Sequence, residues 1–89
     1  MLHMLVRHRV AEFERWKRVF DAHAVAQRQA GLRVTHVMRD TAEGSDVVLL
    51  FEVEDFDRAR AFVTSPAVPD AQEESGVLDE PEILFLRSV

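Results

Sequence analysis

The fold is decided by residues 31–54, which read GLRVTHVMRDTAEGSDVVLLFEVE. Leu32 to Asp40 alternates between apolar and polar side chains, which is the period-two pattern of a strand. The loop Thr41–Ser45 follows, and Gly44 supplies the unusual backbone angle that a hairpin needs. Asp46 to Glu54 is the partner strand. Its centre is apolar at successive positions, so we expect it inside the sheet and not at an edge.

Before this hairpin, Leu2 to Val10 also alternates and predicts a first strand. Ala11 to Ala30 changes period, because its apolar residues recur every three or four positions. This pattern predicts one amphipathic helix of about five turns. Gly31 follows at the point where a helix C-terminus favours a residue with positive φ.

After the hairpin, Asp55 is suited to cap a short helix that runs to about Thr64. Ser65-Pro66 is a second start signal, a cap followed by proline at the first helical position. Pro69 removes another backbone donor, so this helix either begins irregularly or starts at Pro69 itself. Gly76 ends it, and Glu82 to Ser88 is the fourth strand.

The resulting order is β-α-β-β-α-(α)-β, two βαβ-like halves joined by the hairpin. This is the ferredoxin-like α+β plan, with a four-stranded antiparallel sheet and both helical segments on one face. A chain of 89 residues is one domain, residues 1–89. Three of the four strands carry apolar residues on both faces, so the second face also needs a cover. A second copy of the chain is the simplest cover and predicts a homodimer.

Composition excludes several classes of protein. There are no cysteines, so disulfides and zinc–thiolate sites are excluded. The net charge is −5, with the bases concentrated in the first half and the acids in the second, which argues against nucleic acid as a partner. No apolar run is long enough to span a membrane and no signal peptide is recognisable. We therefore expect a cytoplasmic protein with no membrane partner.

An aromatic stripe on the long helix is the first candidate for a binding site. It consists of Phe13, Trp16 and Phe20. Helical spacing is typical of plain core, but the same three rings would also suit the wall of a pocket for a flat aromatic molecule. Both interpretations remain open from the sequence.

Two histidines are candidate general bases. His36 shares its strand face with Met38 if the alternation is regular, and it would then lie near Trp16 wherever that face meets the helices. An imidazole held neutral on an apolar wall can accept a proton near neutral pH. His23 borders the aromatic stripe and is the second candidate. The alternatives are a core or interface histidine at position 36 and a surface histidine at position 23.

A metal site is not expected. His3 and His8 differ in parity, so they point to opposite faces of the first strand. No His-x-His motif is present in the chain.

Several segments together resemble the dimeric α+β barrel superfamily, in particular small bacterial proteins labelled cyclase or antibiotic-biosynthesis-monooxygenase-like. This resemblance spans nearly the whole chain and implies a homodimeric barrel. The superfamily includes cofactor-free oxygenases of polycyclic quinols, polyketide cyclases, muconolactone-type isomerases and haem-degrading enzymes. The residues that carry the resemblance are Arg7-His8-Arg9-Val10, Glu12-Phe13-x-x-Trp16-Lys17-x-x-Phe20-Asp21, Gly31-Leu32, Val37-Met38-Arg39-Asp40, Ser65-Pro66 and Gly76-Val77.

The resemblance also narrows the chemistry. In the haem-degrading branch a histidine from the second half ligates iron, and this chain has no histidine after His36. We therefore expect a homodimer that binds a hydrophobic or aromatic small molecule without a cofactor. It would act as a cofactor-independent monooxygenase, cyclase or isomerase; the alternative is a non-catalytic ligand-binding or accessory dimer. The predicted site residues are His36 and His23 as bases, with Phe13, Trp16, Phe20 and Met38 around the substrate.

Overall fold

The computed structural model describes residues 1–89 and contains four strands and four helices. In chain order they are β1 (Leu2–Arg9), α1 (Phe13–Ala22), α2 (Ala24–Gln29), β2 (Leu32–Arg39), β3 (Asp46–Val53), α3 (Phe56–Val63), α4 (Ala67–Ser75) and β4 (Glu82–Arg87). The strands form one antiparallel sheet in the order β2-β3-β1-β4, which is the ferredoxin-like order. The predicted fold class is confirmed.

The core lies between the sheet and the helices. Each central strand presents alternate residues to the helices. Met4 of β1, for example, lies opposite Phe51 of β3 on one side and Phe85 of β4 on the other. β3 lies between β2 and β1, as its doubly apolar sequence predicted. The buried apolar residues are Met4, Val6, Val10, Trp16, Ala30, Leu32, Val47, Leu49, Phe51, Val53 and Ala59.

The other sheet face, which we call the open face, is uncovered. It carries apolar side chains that the chain itself does not bury, among them Leu84 and Leu86, which are 44% and 41% exposed. Leu5 and Leu50 lie directly opposite each other on the same face and are half-buried. This is the bare apolar face that the sequence predicted.

The single long helix predicted for Ala11 to Ala30 is wrong, because the segment is divided at His23. There the backbone N–H bonds to the carbonyl of Phe20, three residues back, at 3.1 Å. Such a bond tightens the turn and interrupts the α-helical ladder. The two parts also have different neighbours, since α1 packs against α4 whereas α2 packs against β2.

In the second half, α3 begins and ends at the predicted signals, whereas α4 begins at Ala67, between the two predicted starts at Pro66 and Pro69. The Asp55 carboxylate accepts a hydrogen bond from the backbone N–H of Arg58 at 3.0 Å and caps α3. Pro66 is the cap residue of α4, and Pro69 lies in the first turn, where backbone N–H groups have no partner within the helix. Gly76 ends α4 with φ of 80°.

None of the four helices combines the length and the apolar character that crossing a bilayer requires.

A β-bulge at Thr35 overturns the regular alternation predicted for the second strand. Val34 pairs with Phe51, but His36 pairs with Leu50, so one residue of β2 is left out of the ladder. A bulge of one residue moves every later side chain to the opposite face. His36 and Met38 therefore lie on the open face, away from the helices, and both are exposed.

Candidate functional site

A cavity of about 200 Å³ lies between the helices and β1. All four helices contribute to its wall, and the inner end is formed by a residue of the central strand β1. Most of the lining is apolar or aromatic, as in small-molecule pockets generally. The lining residues are His8, Trp16, Val19, Phe20, His23, Ala26, Gln27, Phe62, Ala67, Val68, Ala71, Gln72, Ser75 and Val77.

His8 is the chemically distinctive residue of this cavity. The alternation of β1 places it on the helix-facing side with Met4 and Val6, and it is only 8% exposed. Neither ring nitrogen has a hydrogen-bond partner in the protein. The ring meets Trp16 edge to face, with centroids 5.6 Å apart and planes at 71°. Because buried polar groups are normally paired, two unpaired nitrogens need an explanation.

Burial also determines the protonation state of this imidazole. Loss of solvation lowers the pKa of His8, and the negative charge of Asp46 offsets this only in part. The Asp46 carboxylate is itself paired with Arg7 at 2.7 Å, which holds the pKa of Asp46 below its usual range. His8 is therefore neutral at neutral pH. A neutral imidazole offers one acceptor and one donor nitrogen, which is the state required of a general base.

The aromatic stripe of α1 forms one wall. Trp16 and Phe20 are stacked, with centroids 4.9 Å apart and planes at 20°. Trp16 is 2% exposed and belongs to the core cluster, yet it also lines the cavity. The two interpretations of the stripe, core and pocket wall, are thus both correct for this residue.

A smaller cavity of about 120 Å³ lies beneath the first one, against the sheet. His8, Phe62 and Val68 line both spaces. The imidazole therefore lies at the boundary between a helix-lined outer cavity and an apolar inner one.

No charged side chain lines the outer cavity. Its polar groups are His8, His23, Gln27, Gln72 and Ser75, and the Ser75 hydroxyl is already bonded to the carbonyl of Gln72 at 3.1 Å. No three histidine, aspartate or glutamate side chains come close enough to one another to hold a metal ion. The arrangement can bind an uncharged molecule and accept a proton from it.

Three of the six site residues predicted from the sequence come together here. Trp16, Phe20 and His23 all line the cavity. His36 does not, because the bulge places it on the open face, where its Nδ1 lies 3.1 Å from the Thr35 hydroxyl.

Two further predicted residues lie elsewhere. Met38 is on the open face with His36 and is 43% exposed. Phe13 packs against Trp16, but it lies outside the cavity, and the Arg39 guanidinium covers its ring at 4.2 Å. Arg39 is held there by a hydrogen bond to the carbonyl of Gly44 at 2.8 Å.

The sequence reasoning missed His8 as a site residue. A signal was present, because His8 follows Leu2, Met4 and Val6 on the apolar parity of the first strand. A histidine at the end of an apolar strand face, with an aromatic helix predicted above it, is a candidate for a cavity wall.

Comparison with known proteins shows a likeness of fold. No protein-family model and no curated protein matches the sequence. Among solved structures, a provisionally named antibiotic biosynthesis monooxygenase from Bordetella bronchiseptica superposes with a TM-score of 0.78 at 12% identity, covering 99% of this chain and 96% of that one. SnoaB, a cofactor-independent oxygenase from Streptomyces nogalater, superposes with a TM-score of 0.72 at 18% identity, covering 98% and 91%.

A third structure, a provisionally named antibiotic biosynthesis monooxygenase from Nitrosomonas europaea, gives a TM-score of 0.70 at 11% identity over 100% and 99% of the two chains. The chain therefore shares its fold with proteins named as antibiotic biosynthesis monooxygenases. This confirms the resemblance noted in the sequence. At these identities the likeness is one of fold.

Proposed function

We propose that this protein is a cofactor-independent monooxygenase that acts on a hydroxylated aromatic molecule bound in the outer cavity, with His8 as the general base. One observation carries the proposal: a buried, neutral imidazole with both nitrogens unpaired lies at the inner end of an apolar cavity. The likeness in fold to SnoaB, described as a cofactor-independent oxygenase, supports the reaction type.

The proposed reaction begins when His8 accepts the proton of the substrate hydroxyl. The resulting anion is electron-rich at a ring carbon and transfers one electron to O2; the two radicals then combine to form a carbon–oxygen bond. The imidazolium of His8 returns its proton to the peroxide. Loss of the ring C–H proton and cleavage of the O–O bond then release water and leave a carbonyl group. One oxygen atom of O2 stays in the product and the other leaves as water.

His23 has a supporting role in this proposal. It lies where α1 gives way to α2, and it lines the same cavity as His8. Its imidazole is half-buried, so it can reach both the cavity and solvent. We assign it the hydrogen bond to a second polar group of the substrate. The sequence predicts His23 as a base. A base at this position would lower kcat when replaced by glutamine, whereas a hydrogen-bonding residue would mainly change KM.

The proposed active form is a homodimer in which the open faces of two copies pack together. The apolar residues on that face, Leu5, Leu50, Leu84 and Leu86 among them, have no cover within the chain. An isologous pairing would bury the same patch on both copies. The cytoplasm remains the location that the sequence predicts.

Oxygen consumption tests the proposal. The purified protein is incubated with 1-naphthol in air, and product formed under ¹⁸O2 is analysed by mass spectrometry. We expect one labelled oxygen in a naphthoquinone product. His8→Gln keeps a polar side chain of similar size but is a very weak base, so it should lower turnover at least 100-fold, within the range typical of general-base catalysis.

His36→Gln is the matched variant, because it removes a histidine from the open face. It should retain turnover. With 1,5-dihydroxynaphthalene, which offers a second hydroxyl, His23→Gln should change KM more than kcat. Full activity of His8→Gln would refute the assignment of the base. Binding of 1-naphthol that depends on the cavity, with no oxygen consumed by any variant or by the wild type, would favour the non-catalytic ligand-binding alternative.

A further inference from the structure

The inner cavity has a floor of apolar side chains directly beside His8. Val6 of β1 pairs with Leu49 of β3 on one side and with Ile83 of β4 on the other, so the three form one row across the sheet. All three line the inner cavity, and none of them lines the outer one. His8 is the next residue of β1 on the same face, with its Cα about 7 Å from that of Val6. A molecule that lies on this floor is therefore adjacent to the imidazole.

This inner cavity is a cleft that communicates with solvent. Its volume is about 120 Å³. Val6 and Leu49 are buried, whereas Pro81 and Ile83, which form its β4 end, are half-buried. Neither Pro81 nor Ile83 lines the outer cavity. A small molecule can therefore reach the floor from the β4 side while a larger ligand occupies the outer cavity.

The polar side chains of the inner cavity are confined to its boundary with the outer one. They are His8, Gln27 and Gln72, and all three line both cavities. Water on the floor lacks a hydrogen-bonding side chain, which disfavours water there. Dioxygen is uncharged and nonpolar and needs no such partner, and an apolar cavity in another protein binds xenon, which is also a nonpolar gas. The floor therefore favours a small nonpolar gas over water.

We propose that the inner cavity is the binding site for dioxygen, which lies on the floor of Val6, Leu49 and Ile83 beside His8 while the aromatic substrate occupies the outer cavity. This inference rests on the proposed function, to which it adds the site of the second substrate.

The position of His8 between the two cavities suits the charges that the proposed reaction creates. Proton transfer from the substrate makes His8 a cation, and electron transfer to dioxygen then makes a superoxide anion on the neighbouring floor. Opposite charges attract strongly where little water screens them. The cation therefore forms next to the place where the anion forms, and it can return its proton to the reduced oxygen.

Methyl relaxation in the wild-type protein under dioxygen pressure tests the site without any turnover. Dioxygen is paramagnetic, so it speeds the nuclear magnetic relaxation of methyl groups that lie close to it. Leu49 and Val53 lie on the same face of β3 and are 3% and 4% exposed, but Val53 lines neither cavity. We expect the enhancement at Leu49 to be at least threefold that at Val53. Equal enhancement at the two residues would overturn the proposal.

The variant Ile83→Phe supplies the second arm, because its larger side chain narrows the cleft at the β4 end. Phenylalanine is well suited to a strand, and Ile83 is half-buried, so the fold should be retained. We expect a KM for dioxygen raised at least fivefold with the KM for 1-naphthol unchanged, and the excess enhancement at Leu49 lost. Leu78→Phe is the matched control, because Leu78 is 59% exposed and lines neither cavity. An unchanged KM for dioxygen in Ile83→Phe would contradict the proposal.

The outcomes separate this inference from the proposed function. If oxygen uptake depends on His8 but Leu49 shows no excess enhancement, only the dioxygen site is wrong. If the wild type consumes no oxygen with 1-naphthol while Leu49 still shows the excess, the proposed function fails and the inner cavity remains a site for dioxygen.

Discussion

Replacing His8 by leucine should stabilise the protein while abolishing its proposed activity. His8 is buried, and neither of its nitrogens has a partner in the chain. Leucine fills a similar space and has no polar atom. Since most substitutions of buried residues destabilise a protein, a gain in stability at this position would be distinctive.

The expected change in the free energy of unfolding follows from two opposing contributions. An unpaired buried polar group costs about 1–3 kcal/mol, and leucine removes this cost. The edge-to-face contact with Trp16, which leucine loses, contributes about 0.5–1.5 kcal/mol. The net expectation is a free energy of unfolding raised by about 1 kcal/mol. For a domain of this size that corresponds to about 4–8 °C in Tm.

The difference in stability between His8→Leu and the wild type should also depend on pH. Burial holds the pKa of His8 in the folded protein below the ordinary histidine value of 6.5, so the unfolded chain binds a proton there at higher pH than the folded protein does. As pH falls below about 6.5, this linkage lowers the stability of the wild type until the folded-state pKa is reached. His8→Leu lacks that linkage. Its advantage over the wild type should therefore be larger at pH 5.5 than at pH 7.5.

Urea unfolding at the two pH values, at one protein concentration, provides the assay. The chain has one tryptophan, Trp16, which is buried and whose fluorescence reports unfolding. His36→Gln is the control, because it removes an exposed histidine that does not line the cavity and adds no apolar surface to the open face. A loss of more than 1 kcal/mol in His8→Leu at both pH values, with no widening of the difference at low pH, would refute the reasoning.

Three further predictions concern the rest of the chain. Asp55→Ala removes the cap of α3 and should lower the free energy of unfolding by about 1 kcal/mol in urea titrations; an unchanged midpoint would contradict the capping role. Gly76→Ala forces a side chain into φ of 80° and should lower Tm, with a cost of about 1–2 kcal/mol; no loss would mean that α4 ends differently. Leu84→Arg places a charge on the open face and should convert dimer to monomer in native mass spectrometry; a wild type that is already monomeric at micromolar concentration would exclude the barrel dimer.

The elements of the fold were predictable because each has a local signal. The alternation of β1 is visible within its own residues, and so are the cap at Asp55 and the glycine after α4. Topology followed from the order of the elements and the handedness of the connections. Two further predictions were confirmed: β3 lies inside the sheet, and one sheet face is bare and apolar. Both followed from apolar residues on both faces of individual strands.

The bulge at Thr35 left a small local sign in its own strand. Leu32 and Val34 are apolar at even positions, but Thr35 and His36 are successive polar residues and the next apolar residue, Val37, is at an odd position. The register against β3 shows that one residue is unpaired at this break. A bulge is a property of two strands, and no residue of β2 alone demands it. This single feature moved His36 and Met38 from the predicted site to the opposite face.

The cavity itself is a property of packing. Trp16, Phe20 and His23 were identified from their helical spacing, but Gln27, Phe62 and Val68 join them only because α2, α3 and α4 approach β1 at particular distances. Spacing along one helix cannot distinguish a wall from a filled core. The break between the two helices at His23 also depends on tertiary packing, because α1 packs against α4 and α2 packs against β2.

The most direct test of the account is the state of the His8 imidazole, measured by nuclear magnetic resonance on protein labelled with ¹⁵N at histidine. The chain has four histidines, and the signal lost in His8→Leu identifies this one. The account predicts that His8 is neutral at pH 7 in the free protein, and that 1-naphthol shifts its signals selectively. An imidazolium at that pH, with signals unmoved by the ligand, would contradict the central claim that His8 is the base of this cavity.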